Sequence, residues 1–139
     1  MPKHSIYLAS SYTNKLYMRE IRDKLVEMGH RVTSRWIDEP YDPNIQQHEL
    51  SREVNSRIAT QNTDDIAKSD TVAHFSMEKN DRGGACVEFG TSIGMCIAGY
   101  DMNTVLVGNK YHVFDDHPFA TYFPTEEGFL AWAEKEAKR

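Results

Sequence analysis

The stretch DTVAHFSMEKNDRGGACVEFGTSIGMCIAGYDMNTVLVG, residues 70–108, decides the fold. Its first seven residues are a β-prone run without regular alternation of polar and apolar positions. MEKNDRGG then reads as a loop closed by a glycine pair, and a helix-length segment of mostly apolar and small residues follows. NTVLVG, residues 103–108, is a second apolar run. Strands without polar alternation are covered on both faces, and a strand–helix–strand unit built from them calls for a parallel sheet between two helical layers.

The same alternation continues outward in both directions. SIYLAS (5–10) reads as a first strand, and the helix after it carries Tyr17, Ile21, Leu25 and Met28 at helical spacing, with Gly29 placed to end it. RVTSRWI (31–37) is expected as a strand and DEPYDPNIQQ (38–47) as a loop. A long helix is expected over 49–69, with Leu50, Val54, Ile58 and Ile66 on one stripe. Downstream, HVF (112–114) is a candidate short fifth strand. The last helix starts near Thr125, with Glu126 and Glu127 in its first turn and basic residues at its end, both suited to the helix dipole. The expected architecture is a single α/β domain over residues 1–139, a three-layer sandwich around a parallel sheet of four or five strands.

Composition narrows the function. The 139 residues are 40% hydrophobic and 27% charged, the balance of a globular domain, and the net charge is -5. Mixed acids and bases with a net negative charge argue against a groove for a nucleic-acid polymer. No apolar run approaches the roughly 20 residues of a membrane span, and the first ten residues lack the apolar core of a signal peptide, so a cytoplasmic setting is expected. Cys86 and Cys96 lie ten residues apart in one helix, about 15 Å at 1.5 Å per residue, too far to bridge. No base lies beside Cys86 in the sequence, so a thiol nucleophile is not expected. The six histidines show no paired ligand spacing, so neither a metal nor another cofactor is expected.

In such a sheet, ligands collect outside the carboxyl ends of the strands, here residues 10–13, 76–84 and 108–116. Glu88 faces that rim from the first turn of a largely apolar helix. A first-turn glutamate also favours the helix dipole by a few tenths to about 1 kcal/mol, and position alone leaves both readings open. Gly84, Glu88 and Ser92 share a mostly small side of that helix, and the apolar remainder is expected to be buried on more than one side, partly against a second subunit. Asn62 interrupts the stripe of the long helix, where an amide needs partners or a ligand because an unmet one costs about 1–3 kcal/mol. Asp64 and Asp65 are expected in a solvated turn. Ser10, Ser11 and Thr13 follow the first strand, where hydroxyls and amides suit a phosphate or sugar oxygen, although simple capping explains them equally well.

Together IYLASSYTNKLYMREIRDKLVEMGHRVTSRW, DDIAKSDTVAHFS, GGACVEFGTSIGM and VLVGNKYHVFDDHP resemble the nucleoside 2-deoxyribosyltransferases and the related 2'-deoxynucleoside 5'-monophosphate N-glycosidases. The resemblance spans nearly the whole chain and implies a flavodoxin-like fold. It implies that Glu88 is the nucleophile at the anomeric carbon of deoxyribose, that Tyr7 holds it, and that the sugar passes to another base or to water. It also implies substrate contacts near Ser10, Ser11, Asp81, Gly83, Gly84 and Ser92, and a homodimer or larger homo-oligomer in which a neighbour closes the site. Asn62 departs from the family, which commonly has an aspartate there to contact the base or protonate it; an amide cannot act as an acid. That departure keeps a second reading in play: a nucleotide sensor or scavenger that binds without turnover. A flavin carrier is weaker, since nothing resembles a flavin-phosphate loop.

Overall fold

Residues 3–40, 50–77 and 83–139 are described by the computed structural model. Asp81, Glu49 and most of the loop expected at 38–47 lie outside them. Five strands, Ser5–Ala9 (β1), Arg31–Val32 (β2), Thr71–Ser76 (β3), Asn103–Gly108 (β4) and Ala120–Phe123 (β5), form one parallel sheet in the order β2-β1-β3-β4-β5. Four helices, Lys15–Met28 (α1), Arg52–Ala67 (α2), Gly84–Ile97 (α3) and Glu126–Ala137 (α4), cover it. Parallel neighbours need crossovers, and right-handed crossovers in this order put α2 and α3 on the face opposite α1. Contacts agree: α1 packs on α4, and α2 on α3. This is the flavodoxin-like doubly wound order, as expected.

Sandwiching explains why the strands are buried on both faces. All six residues of β3 are buried, as are four of the five in β1. α1 inserts Met18, Ile21 and Leu25, and Gly29 ends it in the left-handed region at φ 106°. From α4, Phe129 meets Phe75 of β3 edge-on at 5.4 Å between ring centres. On the other face Phe89 and Ile93 of α3 pack on Leu106 of β4. The last helix starts where expected, and Thr125 caps it, its side chain accepting from the Gly128 amide at 3.2 Å.

Four expectations are corrected. The strand over 31–37 stops after Val32, because side chains replace its ladder: Ser34 Oγ accepts from the Leu8 amide at 2.9 Å and Trp36 Nε1 donates to the Leu8 carbonyl at 2.8 Å. Arg35–Asp38 then forms a tight 3-10 turn. Residues 112–114 are not a strand either: Val113–Asp116 is a second 3-10 turn, held by Asp115 Oδ2 accepting from the amides of Tyr111 and His112, and β5 lies further on. Asp65 is not solvated but buried. Its carboxylate accepts from the Arg35 amide at 3.0 Å and from Arg35 Nε at 2.9 Å, anchoring the first 3-10 turn to α2. Finally, Glu88 does not stand in the first turn of its helix, because α3 begins at Gly84 and residues 84–87 make that turn; on the same helix Val87 and Ile97 are 69% and 67% exposed. Among the described residues, no helix is long and apolar enough to cross a membrane.

Candidate active site

The chain leaves β1 toward β2 and returns to β3 on the other side of β1, so the strand order reverses between β1 and β3. A crevice forms at the carboxyl ends of such strands, and the first turn of α3 overhangs it. Two glycines shape the approach. Gly83, the N-cap of α3, sits at φ 94°, where other residues are strained. Gly108 ends β4 at φ 105°, and a Cβ there would lie 2.6 Å from the Ser76 carbonyl oxygen.

Glu88 projects from the flank of α3 toward β1. Tyr7, fully buried in the middle of β1, donates its hydroxyl to Glu88 Oε2 at 2.5 Å. Burial above all, and then the charge and hydrogen bond of Glu88, push the Tyr7 phenol far above its usual ionisation. Tyr7 is therefore a permanent donor at neutral pH, and it points the carboxylate along a fixed direction.

Tyr12, in the 3-10 turn Tyr12–Asn14 after β1, extends the cluster. Its phenol is pushed up by burial first, then by the charges of Glu88 and Glu39, and a hydrogen bond from Asn62 opposes the shift. Its ring meets Trp36 edge-on at 5.5 Å, and Lys15 Nζ lies 5.3 Å from the ring centre. Asn62 thus bonds Tyr12, while its Oδ1 is buried with no hydrogen-bond partner among the described residues. An unmet buried carbonyl oxygen costs about 1–3 kcal/mol, so this atom is set to accept from a donor entering the recess.

Tyr7, Asn62 and Glu88 are therefore linked, Tyr7 directly to Glu88 and Asn62 through Tyr12. The other expected positions divide. The Ser10 hydroxyl is engaged within the fold, donating to the Phe75 carbonyl and accepting from Asn14 Nδ2, both at 3.0 Å. Ser11 lies at the rim, its hydroxyl 2.6 Å from that of Thr13. Gly83 and Gly84 open α3 beside Glu88. Ser92 is fully buried and shares a hydrogen bond with Thr104 of β4, so it faces the sheet and not the crevice. Asp81 lies outside the described residues. Tyr12 was missed by sequence reasoning; its signal was an aromatic side chain in a strand-to-helix turn otherwise made of small polar residues. Among the described residues, no group of three or more His, Cys, Asp or Glu side chains is arranged to hold a metal ion.

No protein-family profile matches the chain, and no curated protein sequence does. Among solved structures it is similar to the CMP N-glycosidase BcmB of Clostridium botulinum, with 15% identity over 92% of this chain and 96% of that one and a TM-score of 0.56. Near-complete coverage of both chains at that score means that the likeness extends beyond a single β-α-β unit. The chain therefore has the flavodoxin-like α/β fold found in that N-glycosidase.

Proposed function

We propose that the protein cleaves the N-glycosidic bond of a nucleoside or nucleoside 5'-monophosphate, with Glu88 as the nucleophile. The observation that carries this reading is the buried Tyr7 hydroxyl on Glu88 Oε2 at 2.5 Å, at the crevice where the strand order reverses. A carboxylate held there by one oxygen presents the other to the anomeric carbon. As Oε1 bonds to C1′, the bond from C1′ to the base nitrogen breaks; the base leaves with the electron pair and takes up a proton. Water or a second base then attacks C1′ and releases the carboxylate. Ser11 and Thr13 at the rim suit the phosphate, and Asn62 Oδ1 suits a donor on the base. The fold shared with an enzyme named for CMP cleavage supports the reading, and the sequence resemblance favours deoxyribose.

The outward ridge of α3 belongs to the same proposal. Val87 and Ile97 are exposed on it, and a second copy of the chain covering that ridge would bring new groups to the crevice, as the resemblance implies.

The test is to incubate the protein with CMP, its deoxy counterpart and deoxyadenosine, with and without free cytosine, and to follow the released base. Release by the native protein and its loss in Glu88→Ala support the reading. No release from a folded native protein, or equal release from the variant, rejects it. Asn62 favours one second reading, binding without turnover, because an amide cannot protonate a leaving base. Stoichiometric calorimetric binding of an intact nucleotide would select it.

A further inference from the structure

Cys86 and Glu88 leave the N-terminal part of α3 on opposite flanks, because residues two apart on a helix are separated by about 200°. On the flank away from Glu88 the sequence separation of 26 residues closes: Cys86 Sγ lies 3.6 Å from His112 Nε2. The base that sequence reading did not find beside Cys86 is supplied by the loop after β4. Behind His112 stands Asp115, whose side chain is 2% exposed. Asp115 Oδ2 accepts from two backbone amides, while Oδ1 is buried with no hydrogen-bond partner among the described residues and lies 3.4 Å from His112 Nδ1. The Asp115 amide is bonded to the His112 carbonyl at 3.0 Å and also faces the His112 side chain in a capping box, so Nδ1 stands between that amide and the carboxylate.

A buried carboxylate oxygen lacking a donor is costly, and Nδ1–H is the group placed to meet it. That tautomer turns the lone pair of Nε2 toward the sulfur. We propose that Cys86 is an activated thiol, with His112 as its base and Asp115 as the residue that orients His112, and that it exchanges with low-molecular-weight disulfides.

Chemistry and position agree. The thiol proton passes to Nε2, leaving a thiolate beside an imidazolium whose other N–H is held by Asp115, as in other nucleophile–base–orienter arrangements. The thiolate also sits in the first turn of α3, where the helix dipole favours negative charge. It attacks one sulfur of the disulfide; the new S–S bond forms as the old one breaks, and the departing thiolate takes the proton from Nε2. Cys86 is partly accessible to such a reagent. Among the described residues, Asp116 is paired with Lys110 at 2.6 Å, and Glu88 is on the opposite flank with Tyr7. Cys96 is the internal contrast, its thiol donating to the Met102 carbonyl at 3.2 Å. The inference is independent of the proposed glycosidase activity.

The test uses full-length Cys96→Ser protein and dithiodipyridine, an uncharged chromogenic disulfide. An ordinary thiol with a pKa of about 8.5 loses roughly 75-fold in rate between about pH 8 and about pH 6. The activated thiol is expected to lose less than about fivefold over that range, and His112→Gln is expected to restore the steep fall. A steep fall in the His112-containing protein, a profile unchanged by His112→Gln, or reaction only after unfolding overturns the proposal. Should His112→Gln fail to fold, the ultraviolet absorbance of the thiolate decides instead. It is the difference between Cys96→Ser and the Cys86→Ser, Cys96→Ser double variant, and it must persist at about pH 6 for the proposal to stand.

Discussion

Replacing Tyr7 by Phe removes one oxygen from a fully buried site and takes from Glu88 Oε2 the donor it holds at 2.5 Å. The ring that remains fills the same space, so the cost is the lost hydrogen bond with little added by a cavity. A hydrogen bond to a charged group contributes about 1.5–3 kcal/mol net. Glu88 is only partly buried and water reaches one side of it, which favours the lower half of that range, about 1.5–2 kcal/mol. In a chain of this length, that lowers Tm by roughly 5–7 °C. Glu88→Gln keeps an acceptor but loses the charge, leaving a bond about half as strong. The two substitutions should therefore be coupled, with an interaction energy of about 0.8–1 kcal/mol in a double-mutant cycle. Urea unfolding followed by the fluorescence of the buried Trp36 measures it. The same pair has a kinetic consequence if Glu88 is the nucleophile. Losing the bond that aims it should lower kcat by about tenfold or more, at 1.4 kcal/mol per decade, and leave KM nearly unchanged. A coupling energy below about 0.5 kcal/mol would refute the reasoning, because two residues that do not touch are additive to that level.

Gly108→Ala should destabilise by about 2 kcal/mol or more, since its φ of 105° is costly for alanine and the new methyl would meet the Ser76 carbonyl at 2.6 Å; thermal unfolding reads it. Stability should also fall in alkali. The Tyr7 phenol is pushed up in the fold, so the unfolded chain loses that proton first, near pH 10, and above this the fold loses up to about 1.4 kcal/mol per pH unit through this one group. Tyr7→Phe should flatten that slope; an unchanged slope would mean that the buried phenol is not its source. Asp65→Ala should cost about 1.5–3 kcal/mol, because it strips the Arg35 amide and guanidinium of their shared acceptor, and urea midpoints test it. Asn62→Asp should raise turnover by about 10²–10⁴-fold if the amide is what withholds a general acid. No change would mean that protonation of the leaving base comes from elsewhere.

What was legible in the sequence depended on whether the deciding interactions were local. The end of α1 at Gly29, the start of α4 near Thr125 and the doubly covered strand Thr71–Ser76 depend on backbone geometry and solvent exclusion near each residue. Sequence reasoning reached all three. Arg31–Ile37 had the composition of a strand, yet Ser34 and Trp36 spend their polar atoms on the backbone of Leu8, 26 and 28 positions earlier. Propensity cannot see that exchange, because it belongs to a pair. Asp65 failed for the same reason: a carboxylate is buried only when a partner makes burial tolerable, and Arg35 lies 30 positions away. The Tyr7–Glu88 contact spans 81 positions and was expected only through the family resemblance, since residue chemistry alone left Glu88 open between a dipole-favouring glutamate and a nucleophile. Cys86 and His112 had no resemblance to join them, and only the fold places an imidazole beside that sulfur. A polar side chain in a sequence thus shows that a partner is required. Which partner it finds is set by the strand order, and here the reversal between β1 and β3 brings Glu88 of α3 over Tyr7.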